Sequence, residues 1–309
     1  MAHSPHVHVR IDLGRVRANA AEIRRLTGVA VIPVIKADAY GLGAARIAGA
    51  IAGLADSFCL FSPHEPEQIR LWEMTGKESF CIGPPIWSDA DAYLAHHVRP
   101  GVSTPQQAYA LRKARPVLCV DTGQQRFACP IEQVPAALRE GGCDEAFTHA
   151  TTLKQVRMFR EAVEGKVKRM HAAGTSLLHE PEARLDAVRP GLALYTAAVR
   201  VSTKLVETHK SWGPAGYSGF VAPWHGVIVC GYSNGLRPGP CLVNGRSSQV
   251  LEVGMQTAFV QTDPSDAPGD EVVLLGDGLS PQKIVEAWGV SPQECLFRLA
   301  TAGVREYVE

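Results

Sequence analysis

From Ile11 to about Tyr195, short apolar runs alternate with amphipathic stretches, and this rhythm restricts the fold more than any other property of the chain. The runs Val29–Ile35, Phe58–Phe61, Ser79–Ile82, Val117–Val120 and Glu145–Thr148 predict strands. The stretches Gly14–Thr27, Ala44–Leu54, Pro63–Thr75, Pro105–Lys113, Val134–Glu140 and Thr152–Glu164 predict helices. Strands that alternate with helices imply a parallel sheet, because a parallel neighbour can be reached only by a crossover. One strand about every 25–30 residues fits a (β/α)8 barrel of the TIM type, whose chemistry sits on the loops after the strands. A doubly wound open sheet is the competing arrangement.

After about residue 200 turn residues become dense and helical periodicity fades. Short apolar runs at Gly226–Cys230, Gln249–Val253, Thr257–Val260 and Glu271–Leu275 are separated by turns such as Val243–Gly245 and Ala267–Asp270. The expected architecture is therefore α/β, with an N-terminal barrel over residues 11–200 and a C-terminal, mostly-β domain over 201–309, onto which residues 1–10 can pack.

Lysine and arginine balance aspartate and glutamate at 31 each. No basic patch invites nucleic acid or a membrane surface. No apolar run nears the roughly 20 residues that span a bilayer. The eight cysteines are scattered without a CxxC pair, and no leader-like apolar segment opens the chain, so a cytoplasmic location is expected. His3, His6 and His8, with the adjacent His96 and His97, form no metal-ligand spacing, and no metal is expected.

Chemistry concentrates in Val-Ile-Lys-Ala-Asp-Ala-Tyr-Gly-Leu-Gly (34–43). A lone lysine at the end of a buried strand is poorly solvated, which suits Lys36 to act as a nucleophile or base. The small-residue loop after it can bring backbone N–H groups to an anion. Lysine beside an anion cradle suits a covalent link to pyridoxal 5'-phosphate (PLP).

This run closely resembles the cofactor-lysine motif of the alanine racemase family, a PLP-dependent family of fold type III. Further segments resemble that family in its own order. They are Val-Arg-Ile-Asp-Leu (9–13) with Val-Arg-Ala-Asn (16–19), Val-Asp-Thr-Gly-Gln-Gln-Arg (120–126), Phe-Thr-His-Ala (147–150), Met-His-Ala-Ala-Gly-Thr-Ser (170–176) and Arg-Pro-Gly-Leu-Ala-Leu-Tyr (189–195). Beyond residue 200 follow Gly-Tyr-Ser (216–218), Gly-Tyr-Ser-Asn-Gly (231–235), Gly-Met-Gln (254–256) and Gly-Asp-Glu-Val-Val-Leu-Leu-Gly (269–276).

The resemblance implies an amino-acid racemase working as a head-to-tail homodimer with shared sites. Lys36 would hold PLP and serve as one base. Tyr232 of the partner subunit would serve as the other, because a proton removed from one face must be replaced on the opposite one. A phenol is a weak base at neutral pH, so polar neighbours must assist it, and His149 and Arg189 match those positions. Arg189 would also face the pyridine nitrogen of PLP and keep it unprotonated. Tyr40, Thr175, Gly191 and Leu192 would hold the phosphate. Arg126 and Met255 would meet the substrate carboxylate.

Several positions depart from the family pattern. Cys119 stands where many members have a lysine, often carbamylated. Gly174-Thr175 replaces Asn-Ser, Gln256 an aspartate, Leu42 a histidine, and Gln293 a tyrosine that contacts phosphate. Substrate choice beyond a small or polar amino acid is left open by this altered shell. Decarboxylation or aldol cleavage on the same barrel, and PLP binding without catalysis, are the competing readings. Arg189 and Tyr232 argue against the first two.

Overall fold

A computed structural model describes residues 4–279 and 281–309, so His3 lies outside the described residues. The chain forms two compact units. One comprises Val16–Ala39 and Gly43–Tyr195. The other takes in Tyr40–Leu42, Thr196–Glu309 and the described residues up to Arg15.

Strand β1 (Ser4–Asp12) belongs to the second unit, and the first unit carries β2 (Ala30–Val31), β3 (Phe58–Leu60), β4 (Ser79–Cys81), β5 (Val98–Arg99), β6 (Gly101–Val102), β7 (Val117–Cys119), β8 (Glu145–Ala150), β9 (Arg169–Ala173) and β10 (Ala187–Val188). These strands pair only in parallel. One run of pairing is β2-β10-β9-β8-β7-β6 and the other β3-β4-β5. The two runs join at both ends. Cys59 bridges Val34 and exchanges hydrogen bonds with the chain beyond β2, its N–H reaching Pro33 O and its carbonyl accepting from Ile35 N, both at 2.9 Å. At the other end β5 passes into β6 across Pro100, which has no N–H to give a ladder. With β5 and β6 counted as one strand, the ring is an eight-stranded parallel barrel, and the open doubly wound sheet is excluded.

The predicted strands lie where the apolar runs placed them. Three strands of the barrel went unread: β5 with β6, β9, and β10. β10 spans two residues and β5/β6 is split by proline, so neither shows a sustained apolar run. The helix predicted over Pro63–Thr75 breaks into His64–Gln68 and Leu71–Thr75, because Arg70 turns left-handed at φ 51°. Inside the barrel, Ile32, Val34, Cys59, Phe80, Val117, Cys119, Phe147 and Ala187 form a buried apolar cluster.

The second unit holds one sheet built from β1, β11 (Val199–Lys210), β12 (Trp224–Ile228), β13 (Gly239–Val243), β14 (Arg246–Val253), β15 (Ala258–Gln261), β16 (Glu271–Leu275) and β17 (Gly303–Val308). Its order is β12-β15-β14-β13-β16-β11-β1-β17, and β11 also pairs with β12, which curls the antiparallel part into a closed ring. This is the expected β-rich domain, yet it also carries helices at Pro281–Trp288 and Pro292–Ala300. A cap marks the second one in the sequence. Ser291 Oγ accepts from Glu294 N at 3.1 Å, and proline follows in the first turn. No helix among the described residues is long and apolar enough to cross a membrane.

Barrel closure leaves little space between β4 and β6. A Cβ added at Gly101 would lie 2.2 Å from Cys81 O, and backbone cannot yield to a methyl group there. Gly101→Ala is expected to lose on the order of 1–3 kcal/mol of stability, read as a lowered urea midpoint at unchanged slope.

Candidate active site

Lys36 is half-buried and follows the segment 32–35 that continues β2, at the carboxyl end where a barrel carries its chemistry. The turn after it has an unusual hand. Ala37, Asp38, Ala39 and Tyr40 take φ values of 53°, 55°, 53° and 58°, so Lys36–Gly41 winds as a left-handed helical turn. Such a conformation costs L-residues roughly 1–2 kcal/mol each, and a run of four persists only where other bonds hold it. Ala39 N donates to Ile35 O at 2.9 Å, Ala37 N to Glu65 Oε1 at 2.7 Å, and Ala44 N to Asp38 Oδ1 at 2.7 Å. Tyr40, half-buried, ends the turn. Sequence reading places a small-residue loop here; the structure winds its backbone in one defined direction.

Arg189 follows β10 and is 5% exposed. Its Nη1 donates to His171 Nδ1 and, at 2.8 Å, to His171 O, while Nη2 donates to Thr148 O. On the far side of the imidazole, His171 Nε2 meets Glu145 Oε1 at 2.8 Å. The second oxygen of Glu145 takes Arg99 Nη1, and Arg99 Nη2 reaches Asp144 at 3.2 Å. A guanidinium can only donate, so Nδ1 of His171 must be the acceptor and Nε2 must carry the proton. His171 is therefore the neutral tautomer, wedged between Arg189 and an ionised Glu145.

The electrostatics agree with this file of side chains. Burial, aided by the Arg189 charge and opposed by Glu145, pushes His171 down to about 4. Burial would raise the Glu145 carboxyl. The His171 bond and the charges of Arg99 and Arg169 outweigh it and hold Glu145 at about 2. Burial also draws Arg189 below its ordinary value, but a guanidinium stays charged throughout the physiological range. Phe147 stacks on His171 with centroids 5.7 Å apart, and Arg189 Cζ lies 5.0 Å from the Phe147 centroid. Sequence reading missed His171, Glu145 and Arg99. His171 stood inside a quoted motif, and a lone histidine on a strand carries no further signal.

His149 is exposed at the end of β8. Desolvation and then the charges of Arg189, Lys36 and Arg126 press it down to about 4, so it too is neutral at physiological pH. Lys36, Arg126, Arg189 and His149 thus share one electrostatic environment. Arg126 is exposed on a loop whose neck is stapled, with Cys129 N donating to Cys119 O at 2.7 Å and Asp121 N to Cys129 O at 2.8 Å. Gln125 and Phe127, on either side of it, are left-handed at 53° and 48°. Burial raises Cys119 to about 12. A neutral thiol at the base of this loop offers Arg126 no counter-charge.

Three of the residues expected to hold phosphate, Thr175, Gly191 and Leu192, lie together. Thr175 Oγ1 accepts from Gly191 N and Ala193 N, both at 3.3 Å. Leu192 opens a 3-10 turn, whose first N–H has no partner inside the turn. Hydroxyl and amide donors without a carboxylate suit a dianion, and a buried guanidinium suits an unprotonated ring nitrogen, so these residues fit PLP.

In the second unit Tyr232 and Met255 come together. Tyr232 N donates to Gly254 O at 2.9 Å and Ser233 N to Met255 O at 3.0 Å. The approach is so close that a Cβ at Gly231 would lie 2.2 Å from Met255 O. Both side chains face outward, 56% and 61% exposed. Gln293 is exposed in the helix Pro292–Ala300.

The family model described as "Alanine racemase, N-terminal domain" matches residues 11–199. The biosynthetic alanine racemase of Escherichia coli K12 is 28% identical, covering 97% of this chain and 99% of that protein. Alanine racemase from Neisseria meningitidis serogroup A is likewise 28% identical, over 96% and 97%. Among solved structures, the Bartonella henselae alanine racemase with covalently bound pyridoxal phosphate superposes with a TM-score of 0.87 at 19% identity, over 99% of this chain and all of that one.

The buried imidazole sets a pH dependence. A histidine that takes its proton near 6.5 when unfolded but near 4 when folded opposes folding as pH falls between those values. Stability is expected to drop on the order of 3 kcal/mol across that window, and further as Glu145 protonates below its ordinary 4.5. Thermal unfolding against pH checks this, and His171→Asn should flatten the upper part of the slope.

Proposed function

This chain belongs to the alanine racemase family, and on that premise we propose that it interconverts the L and D forms of alanine, or of another small or polar amino acid, by two bases on opposite faces. It is a PLP-dependent amino-acid racemase. Lys36 serves one face of the substrate Cα, and Tyr232 of the partner subunit serves the other. The observation that carries the reading is the charged Arg189, buried and bonded only to neutral groups. A decarboxylating relative of this fold needs a carboxylate at that place.

Thr175 Oγ1, the N–H groups of Gly191 and Leu192, and the Tyr40 hydroxyl would take the phosphate, and Lys36 Nζ would hold the cofactor covalently. Bound there, PLP withdraws electrons from Cα and makes its proton acidic. Arg189 would face the ring nitrogen with an N–H and keep that site from taking a proton. The relay through His171 to Glu145 fixes its direction. Arg126 orients the substrate carboxylate beside Met255 of the partner subunit. Lys36 Nζ, which the amino group of the substrate would replace on the cofactor, takes or returns the Cα proton on its own face. Tyr232 Oη does so on the other, with His149, neutral and next to the cations, as the group through which its proton is exchanged. The outward-facing Tyr232 and Met255 support a homodimer in which each subunit completes its neighbour's site.

Lys36→Ala should abolish the visible absorbance of bound PLP together with racemisation. Tyr232→Phe should keep the absorbance yet wash solvent deuterium into Cα of one enantiomer without inverting it. Mixing the two variants should restore activity, because one site of each mixed dimer is then intact. Normal racemisation by Tyr232→Phe in both directions would refute the two-base assignment.

A further inference from the structure

We propose that Glu65 is the positioning residue of Lys36, holding the lysine's chain segment and the neighbouring loop in one registered arrangement. This rests on the reading that Lys36 carries the cofactor. Glu65 lies in the first turn of His64–Gln68, after β3, and its carboxylate is used three times. Oε1 accepts from Ala37 N at 2.7 Å. Oε2 accepts from Phe61 N at 2.6 Å and Ser62 N at 3.0 Å. One side chain thereby ties the backbone after the first barrel strand to the backbone after the second.

The Ala37 bond is the one that matters for Lys36. Ala37 N belongs to the peptide group whose carbonyl is that of Lys36, so a bond to this N–H fixes the plane from which the lysine side chain departs. Ala37 is also the first of the four left-handed residues. Its conformation is unfavourable by itself, and the charge-assisted bond to Glu65 offsets part of that cost. The second arm reaches further round the mouth. Phe61 O accepts from Gly83 N at 3.0 Å, and a Cβ at Gly83 would lie 2.5 Å from that oxygen, so the segment has one place to sit. The Phe61 ring meets Phe127 edge-on at 6.2 Å, and Phe127 adjoins Arg126. Glu65 therefore braces the residue proposed to hold the cofactor and touches, through one aromatic contact, the loop proposed to orient the substrate.

A carboxylate suits this task where an amide does not. Both oxygens accept, so both arms are satisfied at once. Glutamine has one acceptor oxygen, and its NH2 would face N–H donors on one side. Aspartate keeps both acceptors but is one methylene shorter. A group displaced by about 1 Å from its reacting geometry loses up to roughly 10²-fold in rate.

The test compares Glu65→Gln and Glu65→Asp with the wild-type holoenzyme. Glu65→Gln should bind PLP with a shifted visible band and release it at least about tenfold faster. It should lower kcat about tenfold or more at a KM within about twofold, because the lysine is misdirected while the substrate groups stay. Glu65→Asp should recover part of kcat. Unchanged band, release and kcat in Glu65→Gln overturn the proposal. So does a loss confined to KM, which places Glu65 on the substrate side. If Glu65→Gln does not fold, amide hydrogen exchange in the wild-type protein decides. Slow exchange at Ala37 N supports the bond, and exchange at the free-peptide rate overturns it. A wild-type protein that holds no PLP on Lys36 instead refutes the underlying reading.

Discussion

The barrel interior depends on how a permanent positive charge is accommodated away from water. Arg189 cannot lose its proton, and an unpaired buried charge is among the costliest groups a fold can contain. A carboxylate touching it would neutralise it, and among the described residues Arg189 touches none. His171 resolves the conflict. A neutral imidazole accepts from the guanidinium on one nitrogen and passes its own proton's bond to Glu145 on the other. The counter-charge is present, one ring removed. Glu145 is in turn held ionised by Arg99 and Arg169. Each member requires the next, and the file forms where β8, β9 and β10 run side by side in the barrel wall.

The first barrel strand poses a second constraint. It must end so that Lys36 leaves at the carboxyl rim, and the chain then turns with the unfavourable hand through Ala37–Tyr40. Such strain is found where the surrounding structure over-determines it. Glu65 and Asp38 supply acceptors for N–H groups that bracket the turn. Neutral groups fill the remaining positions. His149 is pressed down by the cations around it, and Cys119 is pushed up by burial. The rim of the barrel is therefore electropositive, which matches a phosphate and a carboxylate as ligands.

Much of this was legible in the residues. Apolar runs such as Val29–Ile35 and Val117–Val120 identified strands because a strand buried on both faces reads as a continuous apolar stretch. Lys36, Arg189 and Tyr232 were visible because their flanking motifs are dense. Other features were not. β10 is too short to show a period, and Pro100 divides a strand that the closed ring needs whole. Ala-Asp-Ala-Tyr contains no glycine, so nothing in it announces a left-handed turn. The helix Pro292–Ala300 carries the Ser-Pro-x-Glu start signal, which dense turn residues nearby obscured.

By itself the sequence determined the alternation of strands and helices, the lysine at a strand end, and the residue types that suit PLP. Those properties are local, set by side-chain period and by neighbours along the chain. Only the tertiary structure decided that Arg189, His171, Glu145 and Arg99 form one file, and that Glu65 reaches back 28 residues to Ala37. Proton location on His171 and the direction in which Lys36 leaves its strand depend on partners distant in sequence. Pairing of strands far apart in the chain brings those partners within hydrogen-bonding distance.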